Sequence, residues 1–183
     1  MPDIDFTTTL SIHAPVHVVF EYCRDPRSIF AGDPTYKVND ATVTPEGVGT
    51  RGHLVARMLG LSEDVAIEYV EVVPDKRIVY EARPTVTIAG RKLGAEVFTW
   101  AWAFLPAAGG TELTLRVANR GGARWERALD ALGTERVVTK QVRARLARIA
   151  AAVEGQAAQT AEQNPRLVAA SVAGSRDPGG RRY

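Results

Sequence analysis

Residues 63–83 read EDVAIEYVEVVPDKRIVYEAR. On either side of Pro74-Asp75-Lys76 lies a run of Val, Ile and Tyr interleaved with charged residues. Alternation with period two around a proline-containing turn marks two antiparallel strands joined by a hairpin. The same reading extends outward. Strands are expected at 36–44, 50–59, 63–73, 77–83, 95–105 and 112–118. Turn signals separate them at Pro45-Glu46-Gly47, Gly60, Pro74-Asp75-Lys76, 90–94 and 106–110. Six strands in succession with no helix between them make an antiparallel meander. The longest connection, 84–94, reads as a loop, and a long loop on a rigid sheet is a natural lid.

Upstream, Ile4, Phe6, Thr8, Leu10 and Ile12 alternate with Asp5, Thr7, Thr9 and Ser11, a first strand with one buried face. Pro15 then suits a first helical position. Val16, Val19, Phe20 and Cys23 follow at helical spacing, and Asp25-Pro26 ends that helix. A second short helical turn is expected over 27–31. Downstream, Val138, Val142, Leu146, Ile149 and Val153 form an apolar stripe, with Arg136, Lys140, Arg143, Arg145 and Arg148 pointing elsewhere. Trp125, Leu129 and Leu132 extend that helix back toward Ala123 with a bend at Gly133, and Gly155 is expected to end it. The order is one strand, two short helices, six strands and one long helix. About seven strands must curve to grip that helix, and the gap on the concave side is a natural apolar pocket. The fold class is α+β. A ligand-binding domain is expected over 1–157, with 158–183 a disordered tail rich in Pro, Gly, Ser and Arg.

Composition sets bounds on function. A chain of 183 residues, 45% hydrophobic and 24% charged, suits one globular domain. A net charge of +2 is too small to imply nucleic acid. The single cysteine, Cys23, excludes an internal disulfide and a thiol metal cluster. No apolar stretch approaches bilayer-spanning length, and the acidic N-terminus lacks signal-peptide features, so a cytoplasmic location is expected.

Short motifs stand in a characteristic order: Ser11-Ile12-His13-Ala14-Pro15, Val19-Phe20, Asp25-Pro26, Gly47-Val48-Gly49-Thr50, then residues 70–80, Phe104-Leu105-Pro106 and Gly110-Thr111-Glu112-Leu113-Thr114. Together, over roughly residues 4–154, they resemble the polyketide cyclase/dehydrase branch of the START-like (SRPBCC) superfamily. The resemblance implies a helix-grip fold around a hydrophobic ligand. Members include aromatase/cyclases, lipid and quinone carriers, hormone-binding proteins and chaperone cofactors, so function does not follow from fold. The family often places a tryptophan several residues after Asp-Pro. Ile29-Phe30-Ala31-Gly32 stands here instead, so the rim is expected to differ.

Gly47-Val48-Gly49-Thr50-Arg51-Gly52 matches G-x-G-x-x-G, but a turn precedes it and an alternating run follows, so it reads as a turn opening a strand and not as a dinucleotide fingerprint. Phe98, Trp100, Trp102 and Phe104 share one strand face and should point inward, either as a filled aromatic core or as a stacking wall for a flat ligand. Arg51, His53 and Arg57 share the face opposite Gly52, Leu54, Ala56 and Met58. Plain alternation sends the charges to water. A bulge at 49–52 would instead bring them inside, the arginines to stabilise an oxyanion and His53 to move a proton, which makes them the candidate catalytic set. Tyr69 and Tyr80 on adjacent strands, and Tyr36 at the mouth, are candidate ligand contacts. Glu68 and Glu96 are expected in solvent, as are His13 and His17. With three scattered histidines there is no support for a metal site, and Cys23 reads as inert packing.

The expected function is that of a polyketide cyclase/dehydrase-like protein that holds an apolar, oxygenated molecule and cyclises or dehydrates it without a cofactor. Set against it are a non-catalytic carrier or sensor of a lipid, quinone or aromatic metabolite, and a protein-interaction module. Two or more ionisable groups beside one apolar wall favour the enzyme.

Overall fold

The computed structural model describes residues 5–58, 61–88, 91–94, 97–119 and 134–163. Strand β1 (Asp5–Ile12) leads into helix α1 (Val16–Arg24) and the short helix α2 (Pro26–Ile29). Seven strands follow: β2 (Tyr36–Thr42), β3 (Arg51–Met58), β4 (Leu61–Val73), β5 (Arg77–Ile88), β6 (Arg91–Gly94), β7 (Phe98–Ala107) and β8 (Gly110–Asn119). Helix α3 (Thr134–Gln163) closes the described chain.

The sheet runs β1-β8-β7-β5-β4-β3-β2, with β6 added beside β5, and every pairing is antiparallel. Register shifts at Val38/Asp40 and Tyr69/Glu71 are the bulges that let such a sheet bend around a helix. The helix-grip architecture read from the sequence is present. One core cluster joins Val142, Leu146, Ile149 and Val153 of α3 to Leu54, Ile67, Ile78, Trp102 and Leu115 of the sheet.

Local chemistry explains the element ends. Pro15 stands just outside α1, not inside it as expected, and its carbonyl accepts from Val18 and Val19. The Asp25 side chain accepts from the Arg27 N–H at 2.8 Å and caps α2. Gly47 and Gly49 adopt φ of 85° and 80° in the turn before β3, so the glycine motif opens a strand.

Three expectations need correcting. The stretch 84–94 is not a plain loop: β5 continues to Ile88 and β6 pairs back along it. Pro84 pairs with Val65 of β4 and, on the other edge of β5, sits in the gap between β7, which pairs through Ala82, and β6, which pairs from Thr85. Gly155 does not end the helix, which runs on to Gln163 and so takes in residues 158–163. The expected helical start near Ala123, the bend at Gly133, and residues 164–183 lie outside the described residues.

Candidate functional site

On β7 the alternation holds: Trp100, Trp102 and Phe104 are buried and Phe98 is half-buried, all on the face turned to α3. Strand pairing carries that face across the sheet. Tyr69 opposes Tyr80, and Tyr80 opposes Trp100. Their rings stack in series, with centroids 5.5 Å and 5.8 Å apart and interplanar angles of 16° and 10°.

Against this wall α3 places a charge. Arg145 is 1% exposed. Its guanidinium carbon lies 4.4 Å from the Phe30 ring centroid, 4.8 Å from Tyr36 and 5.4 Å from Trp100. The Nε of Arg145 donates to Asp33 at 3.0 Å, and Nη2 of Arg148 donates to the same oxygen at 2.7 Å. The other Asp33 oxygen accepts from the Thr35 and Tyr36 backbone N–H groups. Burial raises the Asp33 pKa, but Arg145, the Thr35 N–H and Arg148 more than offset it, so the carboxyl sits below the ordinary aspartate range.

Several buried polar atoms here have no hydrogen-bond partner among the described residues: Nη1 of Arg145, the Tyr80 hydroxyl, and the indole nitrogens of Trp100 and Trp102. They cluster: Tyr80 stacks on Trp100, and the Arg145 guanidinium carbon lies 5.4 Å from the Trp100 ring centroid. The Trp102 indole and Arg145 stand close enough to the Tyr80 and Tyr36 hydroxyls to act on their pKa values without meeting hydrogen-bond geometry. Arg145 and Trp102 both lower the Tyr80 pKa, though burial outweighs them and leaves it well above the ordinary tyrosine value. Buried polar groups are seldom left unpaired, so four on one inner face stand out. Glu63 belongs to the same face by register, between Ala56 and Val86, and its charge raises the Tyr36 pKa, as burial does more strongly.

The candidate catalytic set does not meet this site. Leu54 and Ala56 are buried, whereas the side chains of Arg51 and His53 are 72% and 42% exposed and Arg57 is also exposed. Arg51 pairs with Glu68 on the outer face, and His53 lies within 4.0 Å of Asp40 and 3.9 Å of Asp64. The bulge that would have turned these residues inward is absent: β3 pairs with β4 in unbroken register from Arg51 to Met58. Plain alternation prevails, and these three residues are corrected to the outer surface.

Tyr36, Tyr80 and Trp100 lie on the inner face near Arg145, and Phe98 and Trp102 share that face along β7. Tyr69 and Phe104 lie on it too but are committed to packing. The Tyr69 hydroxyl donates to the Cys23 carbonyl at 3.0 Å, and Phe104 meets Phe20 edge-on at 5.4 Å. His13 and His17 are exposed, paired with Glu154 and Asp75. Glu96 lies outside the described residues. No group of three or more metal-ligating side chains occurs among the described residues. No described helix is long and apolar enough to cross a membrane.

Sequence reasoning missed Arg145, Asp33, Phe30 and Glu63. The signal for Arg145 was present: it stands three residues after Val142 and four before Ile149, inside the apolar stripe.

The family described as polyketide cyclase / dehydrase and lipid transport matches residues 3–154. No curated protein matches. Among solved structures, protein NE0264 from Nitrosomonas europaea is similar with a TM-score of 0.61 and 15% identity, covering 85% of this chain and 97% of that one. Protein Ms6760 from Mycobacterium smegmatis gives 0.60 and 17%, over 83% and 92%. The di-domain aromatase/cyclase StfQ of the steffimycin biosynthetic pathway gives 0.60 and 19%, over 85% of this chain and 52% of its own. At these identities the likeness is one of fold.

Proposed function

Because the chain belongs to the polyketide cyclase / dehydrase and lipid transport family, we propose that it encloses a flat, mostly apolar, oxygenated molecule between the β7 wall and α3 and promotes its cyclisation and dehydration. The observation that carries this reading is Arg145, a buried cation among three aromatic rings with Nη1 unpartnered among the described residues and the Tyr80 hydroxyl beside it. StfQ, which shares the fold, is named an aromatase/cyclase, and that agrees with this chemistry.

In an aldol closure an enolate carbon bonds to a carbonyl carbon and the carbonyl oxygen becomes an oxyanion. Arg145 stabilises that charge in a low-dielectric interior, where a fixed cation acts far more strongly than in water. The Tyr80 phenol, held protonated by its raised pKa, delivers the proton. Glu63 is the carboxylate on that face for removing the carbon-bound proton that gives the enolate. In the dehydration a second α-proton passes to the Tyr80 phenolate and the hydroxyl leaves as water with the proton held by Glu63, so both groups are restored and a double bond is set in the closed ring. Tyr36, Phe98, Trp100 and Trp102 hold the substrate flat. The chemistry needs positioning, proton transfer and charge stabilisation, and no cofactor.

A hydroxyanthraquinone, whose colour reports its ionisation, tests the reading. Saturable quenching of tryptophan fluorescence is expected. The bound phenol should ionise about one to three pH units lower in the wild type than in Arg145→Met, the usual effect of a nearby opposite charge. The double variant Asp33→Asn/Arg145→Met removes the carboxylate that the single change would leave with one fewer cation. Lack of saturable binding, or an unchanged ionisation midpoint in variants that still melt cooperatively, would refute the proposal.

A further inference from the structure

The buried groups around Arg145 are mainly donors. One buried acceptor on the same face remains. Asn119 is the last residue of β8, is 9% exposed, and its Oδ1 has no hydrogen-bond partner among the described residues. It extends the inward series Leu113, Leu115 and Val117, all fully buried against the helix side of the sheet. Register sets it opposite Phe98, one inward step along β7 from Trp100. Two residues of strand span about 7 Å, so Phe98 and the Asn119 opposite it stand roughly that far along the strands from the Trp100 level, where the Arg145 guanidinium packs.

We propose that Asn119 is a specificity-determining residue: its Oδ1 accepts a hydrogen bond from a hydroxyl on the end of the ligand remote from Arg145. This rests on the proposed function, since it needs a flat guest against β7. The guest is therefore two-ended. An oxygen that accepts, or carries negative charge, faces the donors around Arg145, and a hydroxyl that donates faces Asn119. A buried carbonyl oxygen without a partner weighs against the fold, and an apolar side chain of similar size would relieve it. A ligand hydroxyl relieves it equally well, and only when bound. A site built to hydrogen-bond a hydroxyl discriminates sharply against analogues that lack it.

The test compares a naphthol with a naphthalenediol bearing hydroxyls on opposite rings, by tryptophan quenching, on the wild type and on Asn119→Leu. The wild type should bind the diol about tenfold more tightly, as expected for one satisfied buried hydrogen bond. Asn119→Leu should lose that preference while binding the naphthol within about twofold of wild type. Its melting temperature without ligand should also rise, because the unpaired acceptor is gone. Equal loss of both probes would make Asn119 a matter of shape alone and overturn the proposal, as would a diol preference that survives the substitution or never appears. A fall in the ligand-free melting temperature would show that the fold itself satisfies the carboxamide, and would overturn it without any binding data. Failure of the wild type to bind either probe, with the Arg145-dependent dye titration also negative, would take down the broader reading as well. A positive dye titration with no diol preference would take down this inference alone.

Discussion

Asp33 accepts four hydrogen bonds through two oxygens, and the partners come from two distant parts of the chain. The Thr35 and Tyr36 N–H groups fix the start of β2, and Arg145 and Arg148 are successive-turn positions on α3. Removing the charge leaves Arg145 buried with its nearest counter-ion gone, so Asp33→Asn should destabilise the fold by about 3–5 kcal/mol, the usual range for breaking one side of a buried pair. Its folded pKa lies below the ordinary 3.8, so the stabilisation is complete at pH values above that and is lost as pH falls through the folded value. Chemical denaturation at neutral pH and at about pH 3 should therefore show the gap between wild type and Asp33→Asn narrowing in acid. A gap independent of pH would mean that the carboxylate charge contributes nothing. At this scale the sequence misleads for one physical reason. A charged side chain is expected in water unless a partner is visible, and the partner of Arg145 lies 112 positions away in the chain. For Arg51 and Arg57 the same expectation held.

Helices and strands were legible wherever one face alone is buried, because alternation then records the boundary with solvent: β1, β7 and β8 read directly from their apolar phase. What failed was punctuation. Pro84 reads as a strand end, yet β5 runs through it, paired with Val65 of β4 and, on its other edge, at the gap between the β7 and β6 pairings. Gly155 looked like a helix end, but a terminating glycine usually has positive φ, and Gly155 is not among the residues with positive φ. It is an exposed interior helical residue, and a Cβ built there would meet nothing within 4 Å. Gly155→Ala should then stabilise the protein by about 0.5–1 kcal/mol, since alanine loses less backbone entropy on joining a helix. For a chain of this size that corresponds to a rise of about 1–4 °C in melting temperature. An unchanged or lower value would indicate that α3 frays before Gly155 under the conditions of the melt.

The whole molecule offers one internal reporter of its opening. Cys23 is fully buried, on the face of α1 that packs with Val19 and Phe20, and burial drives its thiol pKa well above the ordinary value. Its backbone carbonyl is held by the Tyr69 hydroxyl of β4, which ties α1 to the centre of the sheet. A reagent that needs thiolate cannot reach or activate this sulfur in the closed fold, so labelling requires α1 to separate from the sheet. Because α1 and the inner face of the sheet share one core cluster with α3, that separation should be global, not local. The Cys23 labelling rate should therefore rise with denaturant along the same slope as equilibrium unfolding measured by tryptophan fluorescence. A guest bound between the β7 wall and α3 binds the closed form alone, so hydroxyanthraquinone at about 100 times its dissociation constant should slow labelling roughly a hundredfold. Rapid labelling in native buffer, insensitive to both denaturant and dye, would show that α1 swings open on its own and that the interior is reached from that side. Slow labelling that ignores the dye would place the bound dye somewhere other than the closed interior.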